Sequence, residues 1–213
     1  MTTSSPPPAP VTLSDKMRKA FAGLTTRAGA AVAGAGIQPD WITWLGLIVV
    51  GIGAAAIANG QWALAFLLML LSLPLDALDG AVARAMQRKD RRGGVLDSTL
   101  DRYADGLIAV GFAYYFAARG ELTIMLLALA GMIGTFAVSY VRARAGEADL
   151  SVKIGWFSRF ERVVTLLIML GLPLLFPDWT NQILVLGLLV LAIGTNLTAL
   201  QRLWYVYQHL DRG

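Results

Sequence analysis

Apolar positions dominate this chain in long blocks separated by short polar connections. Residues 41–59 and 122–141 hold no charged side chain, and 163–177 and 183–201 are further apolar runs. Two more blocks, 62–75 and 106–118, become long enough to span a membrane only if they continue through the aspartate-rich segment between them. Roughly 20 residues, at about 1.5 Å rise each, cross a hydrocarbon core of about 30 Å. The pattern predicts six transmembrane helices, at 41–59, 62–86, 94–118, 122–145, 160–177 and 181–207. A soluble helical bundle would need polar faces on these helices, and they have none. The expected fold class is an all-α integral membrane protein.

Ahead of the first block, "LSDKMRKAFAGLTTRAGA" sets Leu13, Met17, Phe21, Leu24 and Ala28 at helical spacing, with Lys16, Arg18, Lys19 and Arg27 on other faces. An amphipathic juxtamembrane helix is predicted within 12–36, capped by Ser14 and lying in the cytoplasmic interface or against the bundle. Residues 1–11, "MTTSSPPPAPV", read as a disordered tail; without a basic stretch ahead of an apolar core they do not read as a signal peptide. Residues 37–213 read as one six-helix domain without internal repeats.

Charge orients the bundle. Of 18 Lys and Arg residues, only Arg119 falls in a connection that follows an odd-numbered crossing. Positive charge gathers on the cytoplasmic side of membrane proteins, so both termini and the aspartate-rich segment are expected there. The net charge of +4 expresses this topology and an anionic-lipid surface. It is split among membrane-adjacent loops, which argues against a nucleic-acid partner. The absence of cysteine excludes disulfides and thiol chemistry. The single histidine, His209, stands near the end of the sequence, where a surface role suits it and a histidine-based catalyst or metal site does not.

The candidate chemistry lies in "LDALDGAVARAMQRKDRRGGVLDSTLDRYAD", residues 75–105. Asp76 and Asp79 are spaced i, i+3, and Asp97 and Asp101 i, i+4, so each pair projects from one helix face. On antiparallel neighbouring helices the two pairs converge at the membrane boundary. Four carboxylates there repel one another unless cations neutralise them. With no Cys or His nearby, the all-oxygen set suits Mg²⁺, Mn²⁺ or Ca²⁺ rather than zinc. Two such ions suit a diphosphate, whose charge they neutralise and whose leaving group they stabilise. Gly80 and Ala83 leave space for a ligand, Arg84 can pair with a carboxylate or phosphate, and Gly93 with Gly94 permits a tight turn.

The series Asp76-x2-Asp79-Gly80-x2-Ala83-Arg84-x8-Gly93-x3-Asp97-x3-Asp101 resembles the complete signature of the CDP-alcohol phosphotransferase family. The resemblance implies an enzyme that joins a CDP-linked lipid to an alcohol through a phosphodiester and releases CMP. It implies that Asp76, Asp79, Asp97 and Asp101 ligate metal, with two Mg²⁺ or Mn²⁺ ions, and that Asp101 is also the general base. It assigns Gly80, Ala83, Arg84 and Gly93 to the CDP donor, with Asp40 and Thr43 of "PDWIT" beside them, and it implies a homodimer. Asp90 departs from the family pattern, which often has Ser or Thr three positions before this glycine. Asp105 lies outside the signature and reads as a helix-terminal polar residue.

The acceptor is read from "SYVRARAGEADLSVKIGWFSRFERVV". Ser139, Arg142 and Arg144 close the fourth predicted crossing, and Arg159 and Arg162 open the fifth. Guanidinium groups there can hold a phosphate bidentately, although anchoring at the cytoplasmic face also accounts for several of them. These segments, with Arg202 of "QRL" at 201–203, resemble the bacterial phosphatidylinositol phosphate synthases and their archaeal counterparts. That likeness implies CDP-diacylglycerol as donor and a phosphorylated polyol, inositol phosphate first, as acceptor. Glycerol 3-phosphate, as in phosphatidylglycerophosphate synthases, and non-phosphorylated alcohols are the alternatives. Outside the family, a membrane prenyltransferase would show two separate aspartate-rich motifs, and a cation transporter would spread its carboxylates toward the midplane.

Overall fold

The computed structural model describes residues 13–88 and 91–210, which form seven α-helices and one 3-10 turn, with no strand among them. The helices are α1 (Leu13–Gly34), α2 (Pro39–Ala58), α3 (Trp62–Ala85), α4 (Arg92–Ala117), α5 (Leu122–Glu147), α6 (Arg159–Leu175) and α7 (Thr180–His209). The stretches Pro39–Ala58, Trp62–Ala85, Leu122–Glu147 and Pro177–His209 are long and apolar enough to cross a membrane. Helix α4 carries Asp97, Asp101, Arg102 and Asp105, and α6 has 17 residues, so composition and length set these two apart from the other four. The predicted tail at 1–11 and Asp90 lie outside the described residues. The predicted Ser14 cap likewise falls on a side chain outside those described.

Local chemistry explains where the site-bearing helices begin. Gly36 takes φ +77° and breaks the chain after α1. Pro39 then occupies the first turn of α2, where its missing N–H costs nothing. Ser158 and Glu161 form a reciprocal capping box at the start of α6. The backbone N–H of Ser158 donates to Glu161 Oε2 at 2.8 Å, and the Ser158 hydroxyl donates to the same oxygen. This box fixes Arg159 in the first turn of α6 and Arg162 one turn further in.

Helix α2 packs on α3 and α4, α5 on α4 and α7, and α6 on α3 and α7. The shared core includes Ile57, Phe112, Phe116, Met169, Leu170 and Leu184, each almost fully buried. Small residues let the backbones approach closely. A Cβ on Gly111 would lie 2.6 Å from the Ala54 carbonyl oxygen, and one on Gly134 would lie 2.8 Å from the Asn196 backbone nitrogen. Helix α1 lies along α3, where a Cβ on Gly29 would be 2.7 Å from Ala81 Cβ, beside the aspartate-bearing turn.

The connection between α5 and α6 is seated on α7. Arg202, buried in α7, donates from Nε to the Ile154 carbonyl at 2.9 Å and from Nη1 to the Val138 carbonyl at 3.1 Å. The Phe157 N–H donates to Thr198 Oγ1 at 3.0 Å. Gly155, at φ +129°, passes so close to Thr198 that a Cβ would stand 2.5 Å from its methyl group. The segment thus reaches Ser158 in one defined path.

Candidate active site

Four helices contribute side chains to one cavity of about 610 Å³. Helix α3 supplies Asp76 and Asp79, α4 supplies Asp97, Asp101 and Asp105, α2 supplies Thr43 and α6 supplies Arg159. One carboxylate oxygen from each of Asp76, Asp97 and Asp101 lies within 4.8 Å of the other two. Arg159 Nη2 donates to Asp76 Oδ1 and to Asp101 Oδ1, each at 2.8 Å. A cationic group therefore fits the focus of these carboxylates, and their all-oxygen chemistry suits a hard divalent ion. Asp79 stands slightly apart. It is buried, accepts from Thr43 Oγ1 at 2.9 Å through Oδ2 and from the Gly80 N–H through Oδ1, and lines the same cavity.

The predicted donor residues gather on the α2–α3 side. Asp40 pairs with Arg88 at 2.7 Å, a link between the start of α2 and the turn after α3 that the signature does not contain. Gly93 faces Asp40, its virtual Cβ being 3.9 Å from Oδ1. Arg84 folds back over Gly80, where a Cβ would lie 3.2 Å from Nη1, so the glycine makes room for its own neighbour one turn on. Ala83 is half-buried on α3.

The predicted acceptor residues are divided among several settings. Arg159 lies on the carboxylates themselves. Arg162 is buried and faces Asp105, with Nη2 at 3.7 Å from Oδ2. Arg142 is exposed, and the Ser139 hydroxyl donates to the Thr135 carbonyl at 3.3 Å within its own helix. Arg144 pairs with Glu147 on the exposed end of α5. Two nitrogens of Arg202 are engaged by the backbone carbonyls described above, so in this structure it braces the α5–α6 connection.

Two features escape the signature. Asp105 is not a helix-terminal residue: it sits in the middle of α4, one turn beyond Asp101, paired with Arg102 and Arg162. The i, i+4 recurrence of Asp97, Asp101 and Asp105 was the available signal, since it puts all three on one helix face. Arg102, which bridges Asp101 and Asp105 at 3.5 Å each, follows Asp101 directly in a motif written only around the aspartates.

Converging carboxylates, neighbouring guanidinium groups and a shared cavity in an apolar helical bundle define a class: a membrane-type helical protein whose site suits a phosphate-bearing group and divalent metal. The sequence pattern of the family described as CDP-alcohol phosphatidyltransferase matches residues 37–198, and the chain belongs to that family, whose members are membrane enzymes.

Among its relatives, the phosphatidylinositol phosphate synthase of Cutibacterium acnes is 32% identical over 89% of this chain and 95% of its own length. The archaetidylinositol phosphate synthase of Methanothermobacter thermautotrophicus is 36% identical over 82% of this chain and 85% of its own. Among solved structures, that of Mycobacterium tuberculosis phosphatidylinositol phosphate synthase with CDP-DAG bound superposes with a TM-score of 0.81 at 29% identity. It covers 89% of this chain and 98% of that one. A second structure of the same enzyme holds manganese and citrate and superposes with a TM-score of 0.79 at 29% identity, over 89% of this chain and 93% of that one.

Proposed function

We propose that this protein is a membrane phospholipid synthase that transfers the phosphatidyl group of CDP-diacylglycerol to inositol phosphate and releases CMP. The observation that carries the reading is the meeting of Asp76, Asp97 and Asp101 within 4.8 Å, in a chain that keeps every fixed position of the family signature. Relatives named for inositol phosphate chemistry on both the bacterial and the archaeal side support the choice of acceptor.

Asp76, Asp79, Asp97 and Asp101 are the residues that would hold Mg²⁺ or Mn²⁺. When bound, such ions neutralise the diphosphate and stabilise the departing CMP. Asp101 takes the proton of the acceptor hydroxyl as that oxygen bonds to the lipid-side phosphorus and the bond from phosphorus to the CMP oxygen breaks. Thr43 holds Asp79 in place. Asp40, Gly80, Ala83, Arg84 and Gly93 face the nucleotide side. Ser139, Arg142, Arg144, Arg159, Arg162 and Arg202 form or brace the acceptor side, where guanidinium groups suit a phosphate.

The chain is read as six crossings, α2 to α7, in a domain at 37–213, with α1 as an interfacial helix and the site on the cytoplasmic side. The placement of every basic residue except Arg119 supports this orientation. CMP release measured in inverted and right-side-out vesicles with CDP-diacylglycerol and Mg²⁺ tests both parts of the reading. Turnover is expected with inositol phosphate, not with free inositol or glycerol 3-phosphate, and only when the acceptor meets the cytoplasmic face. Equal or greater turnover with either of the other acceptors would overturn the choice of acceptor, and turnover from the opposite face would overturn the topology.

A further inference from the structure

Behind the carboxylates that face the donor lies a second, smaller cavity of about 100 Å³, between α4, α5, α6 and α7. Asp105 and Arg159 line both it and the main cavity, and Arg162 and Thr135 line the smaller one. Among the described residues, three buried side-chain atoms lack a hydrogen-bond partner, and all three belong to this one cluster: Arg102 Nε, Asp105 Oδ2 and Arg162 Nη1. Buried polar groups are nearly always satisfied, so three such atoms in a single place mark an arrangement completed by something else. Of the three, Arg162 Nη1 is an unpaired guanidinium donor, which suits an acceptor oxygen such as that of a phosphate.

The cluster is also ordered in a particular way. Asp105 Oδ2 stands 3.5 Å from Arg102 Nη2 and 3.7 Å from Arg162 Nη2. Arg102 Nη2 in turn stands 3.5 Å from Asp101 Oδ2. Arg162 is 8% exposed, and a buried cation of this kind is strongly destabilising without its counter-charge. Its Nη2 faces Asp105, which leaves Nη1 buried and unpaired.

We propose that Asp105, outside the family signature, is a positioning residue: it holds the Arg162 guanidinium so that Nη1 is presented to the phosphate of the acceptor. The inference rests on the proposed acceptor reaction and adds to it a residue whose effect is exerted on a neighbouring guanidinium group. Asp105 acts through Arg162, and through Arg102 it keeps that guanidinium in register with Asp101.

The test is steady-state kinetics of full-length Asp105→Asn in detergent–lipid micelles, with inositol phosphate and CDP-diacylglycerol varied in turn. Asparagine keeps the size of aspartate and removes its charge. The KM for inositol phosphate is expected to rise about tenfold, the effect of losing one charged hydrogen-bonding partner, with kcat falling by less and the KM for CDP-diacylglycerol changing by less than about twofold. Arg162→Gln is expected to raise the same KM, and Asp105→Asn added to it is expected to raise it little further, since residues acting through one contact are non-additive. An unchanged acceptor KM would overturn the proposal. So would an equal rise in both KM values with a lowered Tm, which is what a purely structural role gives. If Asp105→Asn does not fold, Asp105→Glu carries the test: a raised acceptor KM supports the proposal and an unchanged one overturns it. Wild-type protein without turnover on inositol phosphate would refute the proposed function itself, whereas an active wild type with an indifferent Asp105 refutes only this inference.

Discussion

Arg159 shows how differently a residue can look in sequence and in space. In sequence it belongs to a group of arginines around the fourth and fifth predicted crossings, and it reads as part of an acceptor site. In the structure its Nη2 bridges Asp76 and Asp101, 83 and 58 residues away along the chain. The aspartates were legible because helical spacing fixes which side chains share a face, and a carboxylate near lipid needs a cation. The setting of Arg202 was not legible, because its partners are the backbone carbonyls of Ile154 and Val138, groups that every residue carries. Asp101 belongs to this scale of argument. Asp101→Asn keeps the shape of the side chain and removes the proposed base, so turnover is expected to fall about 100- to 10,000-fold. CDP-diacylglycerol binding, measured by equilibrium filtration, is expected to persist on Asp76, Asp79 and Asp97. Activity within about tenfold of wild type would remove Asp101 as the base.

At the level of elements, the helices α2 to α7 follow the apolar blocks closely, since each block has nowhere to hide its surface except in lipid or against another helix. What the blocks do not disclose is which helices touch. That information lies in small residues whose value depends on the partner backbone. Gly134 is such a case: a Cβ there would stand 2.3 Å from Thr195 Oγ1 and 2.8 Å from the Asn196 nitrogen. The same contact carries polar links, with Asn196 Nδ2 donating to the Ala130 carbonyl at 2.9 Å and Thr195 Oγ1 to the Gly131 carbonyl at 3.3 Å. Gly134→Leu is therefore expected to separate α5 from α7 and to cost about 3 kcal/mol, the upper part of the range for overpacked cores. Thermal unfolding in detergent reads this as a clear loss of Tm, and an unchanged Tm would show that the helices do not approach as closely as described. The α5–α6 connection is a related case. Its capping box is readable from Ser158 and Glu161, whereas its seat on α7 depends on Gly155 passing under Thr198.

Across the whole molecule, an apolar helical bundle brings the four signature aspartates and Arg159 to one cavity, which α2, α3, α4 and α6 line together. A site at the membrane edge, as proposed, meets a donor whose acyl chains stay in the bilayer and an acceptor that stays in water, so neither substrate has to leave its own phase. The separation also explains why the acceptor was harder to read than the reaction. The residues proposed to handle the diphosphate form one compact segment, whereas those proposed for the acceptor come from α5, α6 and α7. The measurement that tests the account most directly is the transfer of labelled inositol phosphate into organic-extractable lipid by purified protein supplied with CDP-diacylglycerol. Label is expected in the lipid phase with Mg²⁺ or Mn²⁺, in step with CMP release, and is expected to vanish on chelation. Lipid-phase label that persists in chelator, or none at all from folded, metal-supplied protein, would contradict it.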